Sequence, residues 1–350
     1  MDNWQAAIAS ITFLAVLGLI VTEWVHLTVA ALLGAMVLVF CQVMTLGEAI
    51  GYIGRSYNTL ALFFGVMVLV RAFEPTKIFE YLAAQIVLLA KGQGRNLLLA
   101  VVGITTPICA VLPNATTVML LGPLVPPLAQ DIGVDFVPLL TLMVLIANSA
   151  GLLTMVGDPA TYIVADAINL SFVDYFVRLS LGGVIAIAVV VFMLPVLFPK
   201  IWRKKLGSLD VLPHPTINHP GVLSVGLIIV IFVLTMFVVG DSLPQRISPA
   251  TVALMGASLA LLLSHHSGID TVNNILRDVD WSTLIFFMSV FVLIGGLEKT
   301  GVIASLAGVL GVVLGECDSQ YPPGGGHGTP AETVCSQCGA GAGGGFATGV

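Results

Sequence analysis

"VLPNATTVMLLGP", residues 111–123, decides how this chain folds. It lies inside a stretch from Asn96 to Gln130 that carries no charged side chain. Such a run belongs in lipid. Yet Pro113, Pro123, Pro126 and Pro127 each break or bend a helix, and Asn114, Thr116 and Thr117 set polar groups at the same depth. As one helix, residues 96–130 would be about 52 Å long, against a hydrocarbon core of about 30 Å. The segment must turn inside the membrane, near Pro113-Asn114, because proline removes an amide donor and disfavours helix in the residue before it. Backbone opened at that depth is tolerated only where protein or a water-filled cavity satisfies it. The side-chain oxygens of Asn114, Thr116 and Thr117 suit such a place. The helix that restarts there aims its partly positive amide end into the cavity, which favours an anion or fixes waters and side chains around a cation.

The rest of the chain supports a membrane setting. Of its 350 residues, 57% are hydrophobic and 9% are charged, where soluble domains carry about 25% charged residues. Its mean hydropathy is +1.05. A water-soluble core cannot hide that much apolar surface, so the fold class is an all-α polytopic membrane protein. Nothing points to nucleic acid. The N-terminus lacks the basic region of a cleaved signal peptide, so its apolar run is expected to be the first retained span. Cys41 and Cys109 sit in apolar runs and are expected to pack. Cys335 and Cys338 have the spacing of half a zinc site, but one pair without a second predicts no metal.

Apolar segments fall at 5–22, 25–44, 58–73, 96–112, 116–130, 136–154, 158–170, 174–198, 221–240, 247–264, 282–297 and 301–315. Segment 76–91 carries Lys77, Glu80 and Lys91 and is expected to lie along the interface. The dense basic cluster Lys200, Arg203, Lys204 and Lys205 places its loop on the cytoplasmic side. The expected organisation is a first transmembrane repeat over 1–205, with a hairpin (96–130) and a broken helix (136–170). A Pro-rich cytoplasmic linker, 206–220, follows; its His214 and His219 are read as solvated. A second repeat begins at 221–314, and 315–350 form a Gly- and Cys-rich tail outside the membrane.

The repeat is visible directly. Shifted by 224 residues, "TLALFFGVMVLVRAFEPTKIFEYLA" (59–83) lies over "TLIFFMSVFVLIGGLEKTGVIASLA" (283–307), with ten of 25 positions identical. Among them are Thr59/Thr283, Phe63/Phe287, Leu69/Leu293, Glu74/Glu298 and Thr76/Thr300. Residues 27–40 likewise resemble 250–263 when one residue is skipped. Internal repeats in a polytopic protein predict a secondary transporter, with the copies often inverted and the substrate bound between them on broken helices.

A second break lies in "ANSAGLLTMVGDPATYIV", 147–164, where Asn148, Ser149, Gly151, Thr154, Gly157, Asp158 and Pro159 punctuate an apolar run. Asp158 is the lone carboxylate between Asp135 and Asp166, and an ionisable group at membrane depth is a functional candidate. Opened carbonyls beside a carboxylate suit sodium or a proton relay. Asp-Pro at a helix start also suits a plain N-cap, and both roles are compatible at one site. For Asn148 and Thr154 the competing reading is hydrogen bonding between helices.

These two motifs, together with "DWSTLIFFMSVFVLIGGLEKTGVI" (280–303), resemble the ion transporter superfamily. That group includes arsenite permeases, sodium/proton antiporters, citrate and dicarboxylate carriers and the melanosomal P protein. The similarity covers residues 1 to about 314 and is greatest to the arsenite permease and P protein branch. It implies two inverted repeats, each with a re-entrant hairpin and a broken helix, and an ion-coupled permease or antiporter with H⁺ or Na⁺ as coupling ion and no other cofactor. It implies an ion- and substrate-binding half-site of Asn114, Thr116, Thr117, Asn148, Gly151, Thr154, Gly157, Asp158 and Pro159. Arsenite, citrate or a dicarboxylate, chloride, or sodium/proton exchange are the solutes it suggests. The expected partners are membrane lipid and a small ionic solute, with a homodimer left open as the assembly.

Two departures stand out. Branch members often carry an acid before the hairpin Asn, where this chain has Pro113, leaving Asp158 as the nearest substitute. The repeat also predicts a second hairpin tip near residue 338, but residues 322–350 are Gly-rich and contain no leucine or isoleucine. A frame shift or an altered gene end gives that pattern, and the second repeat is expected to be incomplete, with this polypeptide alone inactive. The rival function is a non-transporting membrane scaffold or assembly subunit. An intramembrane aspartyl protease is disfavoured, because that chemistry needs two facing carboxylates.

Overall fold

The computed structural model describes residues 3–90, 92–131, 133–168, 170–205, 220–240, 243 and 247–313. The linker 206–219, with His214 and His219, and the tail beyond 313, with Cys317, Cys335 and Cys338, lie outside the described residues. The first half runs α1 (Asn3–Val21), α2 (Leu27–Phe40), α3 (Leu46–Arg55), α4 (Tyr57–Phe73), α5 (Ile78–Ala90), α6 (Gly94–Val111), α7 (Asn114–Leu121), α8 (Val125–Asp131) and α9 (Phe136–Gly151). It continues with α10 (Pro159–Ala167), α11 (Phe172–Arg178), α12 (Ser180–Leu197) and α13 (Pro199–Trp202). The second half runs α14 (Pro220–Val239), α15 (Pro249–Ser267), α16 (Val272–Arg277), α17 (Trp281–Lys299) and α18 (Val302–Val313). No strand occurs among the described residues.

Seven described helices are long and apolar enough to cross a membrane. Their outward faces are apolar. Along α12, Leu181, Val184, Ile185, Val189, Phe192 and Val196 are all more than half exposed. Water does not tolerate an apolar surface of that extent, whereas lipid tails do. The chain is therefore an integral, multi-pass membrane protein.

The segment expected to form a hairpin, 96–130, turns back on itself at Pro113. α6 leaves from Gly94, whose amide donates to Lys204 O at 2.9 Å. The returning leg, α7 and α8, ends next to Gly133, whose carbonyl accepts from Nζ of the same lysine. Both ends are thus pinned to Lys204 of the basic cluster and lie together. The guanidinium of Arg95 adds a stacking contact over Trp202, 5.4 Å from the ring centre. Segment 76–91, expected along the interface, is also packed against the rest of the fold. Its helix α5 buries Phe79, Ala83, Ile86 and Ala90 and packs against α6.

Packing between the halves is reciprocal. α4 pairs with α15, and its repeat partner α17 pairs with α2. Where Gly34 of α2 packs, a Cβ would lie 2.3 Å from Val16 and 3.2 Å from Leu293; the equivalent Gly256 of α15 meets Val233 at 2.4 Å and Leu69 at 3.9 Å. Leu69 and Leu293 are themselves a matched pair of the repeat, so one small-residue notch has been used twice. At the centre the matched rings Phe63 and Phe287 stack 6.0 Å apart. A residue touching its own repeat equivalent marks a local two-fold axis.

The two copies run in opposite directions. Arg71, near the end of α4, pairs with Asp278, which precedes α17, at 2.5 Å. Lys299, at the end of α17, pairs with Glu48 of α3, which precedes α4, at 2.7 Å. This second pair has a consequence outside the membrane. Lys299, helped by the Thr45 amide and hydroxyl, holds the Glu48 carboxyl down at about 2 from an ordinary value of 4.5. A depressed folded-state value contributes stability above pH 4.5 that is lost as pH falls toward 2. Thermal unfolding in detergent should therefore show an acid-induced decline across that window that is smaller in Glu48→Gln; identical declines would disprove the coupling.

Candidate functional site

The two chain breaks hold each other open. α6 ends at Val111 and α7 begins at Asn114, so carbonyls near the end of α6 lose their helical partners. Thr154, from the second break, donates its hydroxyl to Ala110 O at 2.5 Å and accepts from the Gly157 amide at 3.3 Å. The Asn114 amide in turn donates to Gly157 O at 3.2 Å. Each break thus satisfies the other's exposed backbone, as apolar surroundings require.

The glycines of the second break are set by close approach. A Cβ on Gly151 would sit 2.6 Å from both terminal atoms of the Asn114 amide. One on Gly157 would sit 2.6 Å from Cys109 O and 2.9 Å from Gly151 Cα. Any side chain at either place pushes the hairpin tip off the broken helix.

A cavity of about 370 Å³ opens beside this crossing. From the hairpin it is lined by Pro113, Asn114, Ala115 and Thr116, and from the broken helix by Asn148, Asp158 and Pro159. The second repeat completes the wall with Thr283 and Phe287, and α4 adds Phe63 and Met67. The first turn of α7 has no side-chain cap. Its Ala115 and Thr116 amides, which no helical carbonyl can reach, are left for whatever occupies the cavity.

Asp158 does two things. Its Oδ2 caps α10, accepting from Ala160 N at 3.1 Å and Thr161 N at 3.3 Å. Its Oδ1 faces the Asn114 side-chain amide at 3.5 Å. That amide fits best when turned so that its NH₂ donates to Gly157 O at 3.2 Å and Ala147 O at 2.8 Å. In the other orientation the NH₂ donates to Asp158 Oδ1 at 3.5 Å, so the Asn114 amide and the Asp158 carboxylate lie within reach of each other.

From the cavity a wider vestibule of about 620 Å³ leads toward the basic end of the molecule, sharing Met67 and Thr116 with it. Its walls carry Arg71, Glu74, Arg277, Asp278 and Asp280. Arg71 bonds Asp278 and also pairs with Glu74.

Five of the nine residues expected at the site line the cavity: Asn114, Thr116, Asn148, Asp158 and Pro159. The other four are placed behind its wall. Thr117 is fully buried, Thr154 repairs backbone, and Gly151 and Gly157 make room. Phe63, Met67, Thr283 and Phe287 were not anticipated as lining residues. The signal for three of them was present in the repeat, since Phe63/Phe287 and Thr59/Thr283 are identical pairs at its centre.

A multi-pass helical protein with two interrupted helices crossing beside a cavity that holds a carboxylate and amide groups has the features of a membrane transporter. Comparison with known proteins gives the family. The model of the citrate transporter family matches residues 17–321, and the chain belongs to that family. A Synechocystis protein described as an uncharacterized transporter is 67% identical over 314 residues, which is 90% of this chain and 70% of the relative. An uncharacterized transporter of Mycobacterium tuberculosis is 31% identical over 309 residues, 87% of this chain and 70% of that one. The human P protein is 28% identical over 212 residues, 58% of this chain and 25% of its own length. The resemblance seen in the motifs is thereby borne out, and the protein is a transporter rather than an enzyme.

Proposed function

We propose that this protein is a secondary carrier that couples H⁺ or Na⁺ to a small anion, with a carboxylate such as citrate favoured over arsenite or chloride. One observation carries the reading: the 370 Å³ cavity holds uncapped helix amides and the Thr116 hydroxyl on one wall and a carboxylate beside the Asn114 amide on another. The amides and the Thr116 hydroxyl suit an anion's oxygens. The Asn114 and Asp158 oxygens suit a proton or sodium ion, which offsets the anion's charge. A cavity of this volume lies within the range of small-molecule sites. Its placement on antiparallel repeats supports an inverted-repeat carrier in which a counterpart hairpin closes the remaining side. On this reading the basic loop Lys200–Lys205, and the vestibule with it, face the cytoplasm.

The test is uptake of labelled citrate into proteoliposomes under an imposed pH or sodium gradient. It uses the 350-residue chain and a version joined, after residue 313, to the part of the Synechocystis relative beyond the match. Saturable, gradient-driven uptake by the extended version is the expected result. A scaffold subunit would give none with either, and that outcome would end the carrier reading.

A further inference from the structure

Helix α4 serves as a ruler along the transport axis. At its start, Asn58 meets Asp166 of α10; in its middle, Phe63 and Met67 line the cavity; at its end, Val70, Arg71 and Glu74 line the vestibule. At 1.5 Å per residue, Asn58 lies about 7 Å beyond the cavity, on the side away from the vestibule. Three oxygen-bearing side chains gather there. Asn58 Nδ2 donates to Asp166 Oδ1 at 3.3 Å, while Asn58 Oδ1 is buried without a partner. Tyr162 precedes Asp166 by one helical turn, so the two share a face of α10. Tyr162 is 1% exposed and its hydroxyl has no partner either. The ionisable groups around that hydroxyl are Asp166 and the Tyr57 phenol; no basic side chain bonds Asp166 among the described residues.

A buried hydroxyl and a buried amide oxygen without partners each cost about 1–3 kcal/mol, and natural sequences seldom carry two such groups side by side for nothing. Beside them lies one carboxylate and no matching positive charge. We propose that Asp166, Asn58 and Tyr162 form a second site, for a small monovalent cation, between the cavity and the membrane face opposite the vestibule. Sodium and hydronium share the required chemistry, a single positive charge bound by hard oxygen ligands. Bound there, the cation ties α10 to α4 and closes the far side of the cavity. Its place on the transport route rests on the carrier reading, but its occupancy does not.

The experiment is the melting temperature of the purified chain in detergent. In one arm NaCl replaces choline chloride at constant ionic strength and pH; in the other, pH is lowered at constant sodium. The variants are Asp166→Asn, Tyr162→Phe and Asp158→Asn. The wild type should gain stability in at least one arm, and the responding arm names the cation. Asp166→Asn should need at least tenfold more cation for the same gain, whereas Asp158→Asn keeps the gain due to this site. Tyr162→Phe gives a signature that a structural role does not. Removal of an orphan hydroxyl raises the melting temperature in choline, and loss of a ligand shrinks the rise in the responding arm. A wild type indifferent to both arms, or an Asp166→Asn variant that responds as the wild type does, would overturn the proposal. The second outcome concerns this site alone, whereas the first would also count against cation binding at Asp158; uptake tests the carrier reading separately.

Discussion

Asp158→Asn is expected to leave the protein folded and to lower gradient-driven uptake by about 100-fold, the equivalent of about 2.7 kcal/mol. The two roles of Asp158 separate because asparagine caps a helix about as well as aspartate does. The bonds to Ala160 N and Thr161 N can persist through the amide oxygen. What is lost is the charge directed at Asn114, and with it the proton or sodium that the pair would share. Uptake in the extended chain, with melting temperature as the folding control, checks this. Uptake within threefold of wild type would place coupling elsewhere and leave Asp158 as a cap; a melting temperature that collapses alongside uptake would show that the carboxylate's charge is structural. Asp158→Ala removes both roles and should additionally destabilise the fold by about 1 kcal/mol.

Gly157→Ala should be strongly damaging, because the added methyl group meets backbone on two sides. The new carbon would stand 2.6 Å from Cys109 O and 2.9 Å from Gly151 Cα, both backbone atoms that cannot swing aside. Overpacking of this kind costs about 1–3 kcal/mol, and more when backbone must move. Here the movement also parts the two breaks, stretching the Asn114 to Gly157 and Thr154 to Ala110 bonds. Gly103→Ala is the control. It lies on α6 with nothing within 4 Å of the added carbon, so it should stabilise by roughly 0.5–1 kcal/mol through helix propensity. Melting temperatures of the two variants in detergent measure the contrast. If Gly157→Ala melted within 2 °C of wild type, the contact between the breaks would not exist in solution.

Much of the site was legible in the residues. Prolines and hydroxyls inside an uncharged run signalled the hairpin, because lipid leaves open backbone few ways to be satisfied. The Asp158-Pro159 pair signalled both cap and charge, and the structure shows the cap in place and the other carboxylate oxygen turned to Asn114. Thr154 illustrates the limit. Its position in the second break made it a candidate ligand, but its hydroxyl is taken by a carbonyl 44 residues away, and no local pattern encodes that. Segment 76–91 shows a related limit. Its charges suggested an interfacial position, while the face that decides its place, Phe79, Ala83, Ile86 and Ala90, is buried.

By itself the sequence determined the solvent, the helical class, the two breaks and the repeat, since each follows from hydrophobic run length, proline chemistry or self-similarity within one stretch of chain. Only the tertiary structure decided which oxygens remain free. Hydrogen-bond partners of a broken helix come from distant segments, so the same threonine or asparagine becomes a backbone patch or a ligand according to what folds against it. Tertiary packing also set the matched rings Phe63 and Phe287 on a shared axis and brought Asn58 to Asp166. Those contacts depend on how two copies of a motif meet, which neither copy specifies alone.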